Sequence, residues 1–133
     1  MRRQRYLEKL ERFEEEYEFI TSHEMKDDVT QRALFYSLQL CVDIAMDITA
    51  MLVKDLGMTV EDDYTNIERL RKAKVISENE AGLLRAYNGL RNAIVHKYDR
   101  LNLDAVREGL GRIDELYEIV IKLVEKYEKL EGQ

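Results

Sequence analysis

The sequence of 133 residues lacks proline and tryptophan altogether and contains a single cysteine. One cysteine cannot close an intramolecular disulfide, so a small secreted fold stapled by disulfides is excluded. One cysteine and two histidines also make a poor ligand set for a zinc site. The absence of proline, the main breaker of helix interiors, favours long uninterrupted helices.

Acidic side chains outnumber basic ones by 27 to 21, which gives a formal net charge of −6 at pH 7. This acidic excess argues, as a first expectation, against a general nucleic-acid binder. Charged residues make up 36% of the chain, against about 25% in an average protein, which suits long solvated helical faces. With 45% hydrophobic residues, the chain can still build one core, so a single domain spanning residues 1–133 is expected.

Neither a signal peptide nor a membrane span is predicted. The basic N-terminus is followed by Glu8, Glu11 and further glutamates rather than by an apolar run. The least charged stretch, residues 33–53, contains Asp43 and Asp47, which a membrane span would exclude. We therefore expect a reducing, cytoplasmic location and no membrane partner.

Apolar residues recur at alternating steps of three and four, which is the period of an amphipathic helix. Boundary signals divide the chain into five predicted helices, approximately 2–20, 27–55, 65–72, 77–98 and 102–130, with a polar loop at 60–64. The signals are a C-terminal glycine, two capping-box pairs and one side-chain cap: Gly57, Thr65 with Glu68, Ser77 with Glu80, and Asn102 or Asp104. Four long helices joined by mostly short loops predict an all-α fold, an antiparallel four-helix bundle with a short additional crossover helix.

The last predicted helix carries a second apolar row besides its main stripe. Its members are Leu116, Ile119, Leu123 and Leu130. A stripe this wide could be buried against a second chain as well as against the core, so homodimerisation is expected.

Residues 89–99, Gly-Leu-Arg-Asn-Ala-Ile-Val-His-Lys-Tyr-Asp, concentrate side chains of catalytic type at the end of the fourth predicted helix. Asn92 and His96 are four residues apart and share one face, whereas Arg91 and Tyr98 share the neighbouring one. Histidine exchanges a proton near neutral pH, so His96 is a candidate general acid or base. Arg91 beside it is suited to hold a phosphate and to stabilise developing negative charge.

Arg91, His96 and Tyr98 reproduce an Arg-x4-His-x-Tyr motif, and on this motif the chain resembles the HepT-like toxin branch of the HEPN superfamily. The similarity extends to residues 36–48, which resemble the long helix of that family with its embedded acidic residue. Residues 64–76 resemble the crossover segment of the family. The resemblance covers residues 1 to about 130.

The resemblance implies a metal-independent endoribonuclease that cleaves RNA by attack of the ribose 2′-hydroxyl on the adjacent phosphate. It implies no cofactor. His96 fits the acid or base role and Arg91 the phosphate-stabilising role, and Asn92 would orient His96 or bind phosphate. In the family, the motifs of two protomers line one cleft across a homodimer.

The resemblance also implies a partner, the minimal nucleotidyltransferase (MNT) antitoxin, which silences the toxin by transferring AMP to the motif tyrosine, here Tyr98. Phosphates added beside Arg91 and His96 would compete electrostatically with an RNA phosphate. Two other functions stay open at this point. One is a non-enzymatic helical subunit that binds nucleotide or substrate for a nucleotidyltransferase, and the other is a helical dimerisation module without a site.

Several polar side chains also have structural interpretations. Asp43 interrupts an otherwise apolar helix, and it could either pair with Arg91 as a structural contact or support the site by hydrogen bonding to Arg91 or His96. Asp43 and Asp47, four residues apart, resemble a carboxylate metal pair, but no metal is expected. His23 and Cys41 are predicted to be an ordinary loop residue and a small core residue.

The charge is not evenly distributed along the sequence. Residues 67–101 hold eight basic and four acidic side chains, a net charge of +4, whereas the flanking segments are both acidic. The acidic total therefore excludes only indiscriminate polyanion binding. It leaves a cationic band around the motif, where an RNA or nucleotide phosphate would lie.

Overall fold

The computed structural model describes residues 2–97 and 100–132. Within them it contains six helices and no strand, so the predicted all-α class is confirmed. The helices are α1 (Arg2–Ser22), α2 (Asp28–Asp55), α3 (Asp63–Lys72), α4 (Glu78–His96), α5 (Leu103–Gly111) and α6 (Ile113–Glu131).

The long helices α1, α2, α4 and α6 run alternately up and down. Arg2 Nε lies 2.7 Å from Asp55 Oδ1, and Ser37 Oγ donates a hydrogen bond to Glu16 Oε1 (2.7 Å), so α1 and α2 are antiparallel. The same reversed order of contacts relates α2 to α4, α4 to the segment formed by α5 and α6, and α1 to α6. The predicted antiparallel four-helix bundle describes this arrangement, with α3 as the crossover helix.

Helix α2 lies at the centre of the bundle and packs against α1, α3, α4 and α6. By length and composition alone it is apolar enough to cross a bilayer, but 67% of that apolar window is buried inside the fold. Such burial is typical of the core helix of a bundle. Cys41 lies on α2 with no exposed surface, as predicted, and burial raises the pKa of its thiol.

Three of the predicted helix boundaries are confirmed in detail. The Ser77 and Glu80 side chains and amides form the reciprocal capping box at the start of α4 (3.1 and 2.7 Å). Asn102 Oδ1 caps α5 by accepting hydrogen bonds from two backbone amides. Gly57 ends α2 with a φ of 84°, a left-handed conformation that glycine adopts without steric cost.

The predicted start of α3 is wrong by two residues. The N-cap is Asp62, whose Oδ1 accepts a hydrogen bond from the Thr65 amide (2.8 Å), so the helix begins at Asp63. Thr65 therefore occupies the third helical position, and Glu68 is free to form ion pairs with arginines instead of closing a capping box. Aspartate is among the strongest N-cap residues, so Asp62 outcompetes Thr65.

The predicted fifth helix is interrupted at Arg112, which separates α5 from α6. Gly109 and Gly111 weaken this region because glycine has low helix propensity. A continuous helix would offer the Gly109 carbonyl to the Ile113 amide, but that carbonyl accepts a hydrogen bond from the Tyr87 hydroxyl (2.7 Å). Tyr87 of α4 thus contacts the backbone in the same turn where the helix is interrupted.

The second apolar row of α6 is used inside the chain. Leu116, Ile119 and Leu123 are 0%, 4% and 0% exposed, and Leu130 packs against the same core. The expectation that this row faces a second chain is therefore wrong. Homodimerisation is left without that support and depends on the family resemblance.

Candidate active site

Arg91, Asn92 and His96 of the motif lie in the last two turns of α4. Ile94 is buried against the core and fixes this end of the helix. The Lys97 amide donates to the Ala93 carbonyl (2.9 Å), but the Lys97 backbone leaves the helical region, so α4 ends at His96 and not at the predicted Tyr98. Tyr98 itself lies outside the described residues.

Arg91 is held by two side chains. Its Nε donates a hydrogen bond to Asp43 Oδ1 on α2 (2.7 Å), and its Nη1 donates to Asn92 Oδ1 (2.9 Å). Of the two partners considered for Asp43, Arg91 and His96, the structure shows Arg91. A guanidinium has five N–H donors, and the other three have no partner among the described residues. Since the Arg91 side chain is 28% exposed, these donors are available to a phosphate.

His96 stands apart from this cluster. It is the last residue of α4, is exposed, and makes no hydrogen bond to Asp43 or Asn92 within residues 2–97 and 100–132. Asn92 is engaged with Arg91 rather than with His96, so the described contacts favour a role in orienting the guanidinium. The site combines a fixed guanidinium and an exposed imidazole at one end of one helix.

Arg91 lies near one carboxylate, Asp63, that the sequence did not assign to the site. Burial raises the pKa of Asp63, the first residue of α3; the nearby charge of Arg91 lowers it, and the carboxylates of Asp47 and Asp43 raise it. Asp47 also forms an ion pair with Lys9 (2.7 Å). The positive charge of Arg91 is therefore partly offset. Sequence reasoning missed Asp63 by assigning it to a loop, whereas Asp62 as the cap would have placed it in the first turn of α3.

The part of the chain that the structure describes contains no group of three or more histidine, cysteine, aspartate or glutamate residues able to hold a metal ion. His23 Nδ1 donates a hydrogen bond to the Phe19 carbonyl (2.8 Å), and its ring stacks on Phe19 with centroids 4.1 Å apart. His23 thus packs against the C-terminal end of α1.

The predicted cationic band is smaller than the net charge of residues 67–101 suggests. Three of its arginines form ion pairs with glutamates: Arg69 with Glu61, and Arg71 and Arg85 with Glu68. The other described cations of the band, Lys72, Lys74, Lys97 and Arg100, form no ion pair with another described residue. Two of these, Lys97 and Arg100, lie within four residues after His96, so positive charge remains where the motif ends.

The arrangement can perform two chemical tasks. The remaining donors of Arg91 can bind the non-bridging oxygens of a phosphate and stabilise negative charge that develops there. The imidazole of His96, five residues further along α4, can accept or deliver a proton. Both are needed when a phosphodiester is attacked by a neighbouring hydroxyl.

Comparisons with known proteins agree on one family. The model of the family described as "Ribonuclease HepT-like" matches residues 4–123. A protein of Archaeoglobus fulgidus named "Putative RNase" is 58% identical over 132 residues, which covers 99% of this chain and 100% of the relative. A second protein of that organism with the same name is 41% identical over 128 residues, covering 96% of this chain and 94% of the relative.

Solved structures share the fold. A chain in a crystal structure of a toxin–antitoxin complex with AMP-PNP superposes with a TM-score of 0.82 at 21% identity, covering 90% of this chain and 96% of the other. A chain in the structure of the tri-AMPylated HEPN toxin of Shewanella oneidensis in complex with MNT antitoxin gives a TM-score of 0.81 at 22% identity, covering 91% and 96%.

Proposed function

Because the chain belongs to the HepT-like ribonuclease family, we propose that it is a metal-independent endoribonuclease and the toxin of a toxin–antitoxin pair. The observation that carries this proposal is the end of α4, where Arg91, fixed by Asp43, and the exposed His96 lie within five residues of each other along the helix. The proposed location is the cytoplasm, where RNA is accessible.

The proposed reaction is an internal transfer of the phosphodiester. The ribose 2′-hydroxyl loses its proton to a base and attacks the adjacent phosphorus, and the bond from phosphorus to the 5′-oxygen breaks. The leaving oxygen takes a proton from an acid, so the products are a 2′,3′-cyclic phosphate and a 5′-hydroxyl. Arg91 stabilises the extra negative charge at phosphorus, and His96 serves one of the two proton transfers.

One imidazole cannot accept and donate a proton in the same step, so a second group is required. We propose that a second copy of the chain supplies it, with two motifs facing one cleft as the family resemblance implies. Asn92 and His96 are exposed on a single chain, which is compatible with a cleft completed by a partner. The proposed partners are therefore RNA, a second protomer and an MNT-type nucleotidyltransferase antitoxin.

The direct test of this proposal is RNA cleavage without metal. Protein made in the absence of a nucleotidyltransferase is incubated with single-stranded RNA in EDTA, and the products are analysed for 2′,3′-cyclic phosphate ends. We expect cleavage with these ends. Binding of RNA or nucleotide without cleavage would instead favour the alternative, a nucleotide- or substrate-binding helical subunit of a minimal nucleotidyltransferase.

AMP transfer to Tyr98 is expected to silence the enzyme, because the added phosphates place negative charge beside Arg91 and His96. Incubation with the partner nucleotidyltransferase, ATP and Mg²⁺ should add mass in steps of one AMP unit, and RNA cleavage should fall in parallel. Intact-mass spectrometry measures the adducts.

The matched variant for this experiment is Tyr98→Phe, which removes only the acceptor hydroxyl. It should gain no AMP and should keep its cleavage activity when the nucleotidyltransferase is present. Adducts of the same number on Tyr98→Phe would show that another residue is the acceptor.

A further inference from the structure

A shallow groove between α2 and α4 begins one helical turn from the Asp43–Arg91 pair. It has a volume of about 430 Å³ and is lined by Arg32, Phe35, Tyr36, Gln39, Ile94 and Val95. This volume lies within the roughly 300–1,000 Å³ that is usual for sites of small ligands. Nothing in the proposed reaction so far uses this groove.

The groove presents an aromatic ring to solvent. Tyr36 is 59% exposed, whereas Tyr6, Tyr87 and Tyr127 are buried in the core. Val95, on the opposite wall, is 39% exposed. An aromatic ring and an aliphatic side chain facing a gap between two helices offer flat apolar surfaces to a planar ligand.

Polar groups accompany the ring. Arg32 lies one turn before Tyr36 on α2, and its ion pair with Asp28 is solvent-exposed on both sides (68% and 72%). Such exposed pairs are weak, so the guanidinium can exchange Asp28 for another anion. Gln39 adds an amide with donors and an acceptor. An aromatic face, a cation and an amide together match a nucleotide better than they match an apolar protein surface.

The groove is continuous with the candidate active site. Gln39 lies four residues before Asp43 on α2, about 6 Å along the helix. Val95 lies four residues after Arg91 and directly before His96. A ligand that extends from Arg91 along the α2–α4 boundary would therefore meet Gln39 first and Tyr36 next.

We propose that this groove binds the base of a nucleotide that flanks the cleaved phosphate, with Tyr36 stacking on the base and Arg32 binding a phosphate further along the strand. The inference depends on the proposed ribonuclease function and adds to it a subsite that positions single-stranded RNA. Stacking accepts any base because every base has a π face, so the subsite sets the register of the strand more than its sequence.

The test compares how RNA affinity changes when the Tyr36 ring is removed from the protein and when the flanking base is removed from the RNA. Binding of labelled single-stranded RNA is measured by fluorescence anisotropy in a His96→Ala background, which prevents cleavage. We expect Tyr36→Ala to weaken binding about tenfold, within the range for loss of one stacked base, and Tyr36→Phe to bind nearly normally. An RNA with an abasic ribonucleotide beside the mapped cleavage site should bind the parent about tenfold more weakly and should be insensitive to Tyr36→Ala.

Tyr64→Ala is the matched control, because Tyr64 is also 59% exposed but does not line the groove and has the Arg85 guanidinium 5.9 Å from its ring centroid. It should bind RNA like the parent. Equal binding by Tyr36→Ala and the parent, or an unchanged effect of Tyr36→Ala on the abasic RNA, would overturn the inference.

The outcomes also separate this inference from the function on which it depends. If the parent protein and Tyr36→Ala, both with His96 intact, cleave RNA with the same kcat/KM, the proposed subsite is wrong and the proposed ribonuclease function is supported. If no variant with His96 intact cleaves RNA, the proposed function is wrong, and a subsite beside a cleaved phosphate is wrong with it, even where Tyr36→Ala weakens RNA binding. Sedimentation velocity gives a third outcome: a Tyr36→Ala protein that dissociates into monomers would assign this surface to contact between protomers and would overturn the RNA subsite.

Discussion

Replacement of His96 by alanine is expected to lower the rate of RNA cleavage by about two to four orders of magnitude, the range that general acid–base catalysis supplies. The side chain is exposed at the last residue of α4 and makes no described hydrogen bond. Its removal should therefore change the free energy of unfolding by no more than about 0.5 kcal/mol, as is usual for surface positions. The measurement is single-turnover cleavage of a labelled RNA in EDTA, beside thermal unfolding of both proteins.

The chain supplies its own control, since it contains one other histidine. His23 also lies near the C-terminal end of a helix and is also exposed, but it stacks on Phe19 and is not part of the motif. His23→Ala should cleave RNA at the parent rate. Equal activity of His96→Ala and the parent after identical purification would point to a contaminating nuclease or to a proton-transfer group elsewhere.

The Arg91→Gln variant is expected to lose about 100- to 1,000-fold in cleavage rate, the usual cost of removing one group that stabilises developing oxyanion charge. Glutamine keeps an amide donor but removes the charge and the forked geometry that a guanidinium offers to phosphate. Arg91→Lys restores the charge without the fork, so its loss should be smaller. The effect should be larger on kcat than on KM, because charge accumulates at phosphorus in the transition state.

Arg85→Gln is the matched control for this experiment. Arg85 lies on the same helix, its side chain is 29% exposed against 28% for Arg91, and it also forms an ion pair with a carboxylate on a neighbouring helix, Glu68 on α3. It should retain parent activity. If Arg91→Gln cleaves RNA within about threefold of the parent, the guanidinium is a structural partner of Asp43 and the catalytic cation must be sought elsewhere.

The fold could be predicted because its determinants are local. Ser77, Asn102 and Gly57 act within one turn of their own position, so each boundary is encoded where it occurs. The contact between Asp43 and Arg91 was also accessible, because a carboxylate in the middle of an apolar helix needs a partner and Arg91 was the candidate. That contact joins α2 to α4, but each of its two residues is already conspicuous in its own short segment of the sequence.

The features that sequence reasoning missed depend on contacts between segments. The interruption at Arg112 lies in a glycine-weakened turn whose Gly109 carbonyl accepts a hydrogen bond from the Tyr87 hydroxyl, and no pattern within α5 or α6 encodes that contact. The ion pair between Arg85 and Glu68 likewise neutralises part of the positive charge that residues 67–101 carry when they are counted along the sequence. The groove at Tyr36 exists only because α2 and α4 run antiparallel at that register.

Because Cys41 is buried, the rate at which its thiol is chemically modified can report ligand binding to the folded protein. A thiol on the central helix with no exposed surface reacts with a thiol reagent only when the bundle opens around it, so the modification rate reports the population of opened molecules. A ligand that binds only the closed state lowers that population by the factor 1 + [L]/Kd. The decrease in the rate of Cys41 modification should therefore give the affinity for RNA or for a nucleotidyltransferase. The measurement needs neither a label nor a substitution near the site.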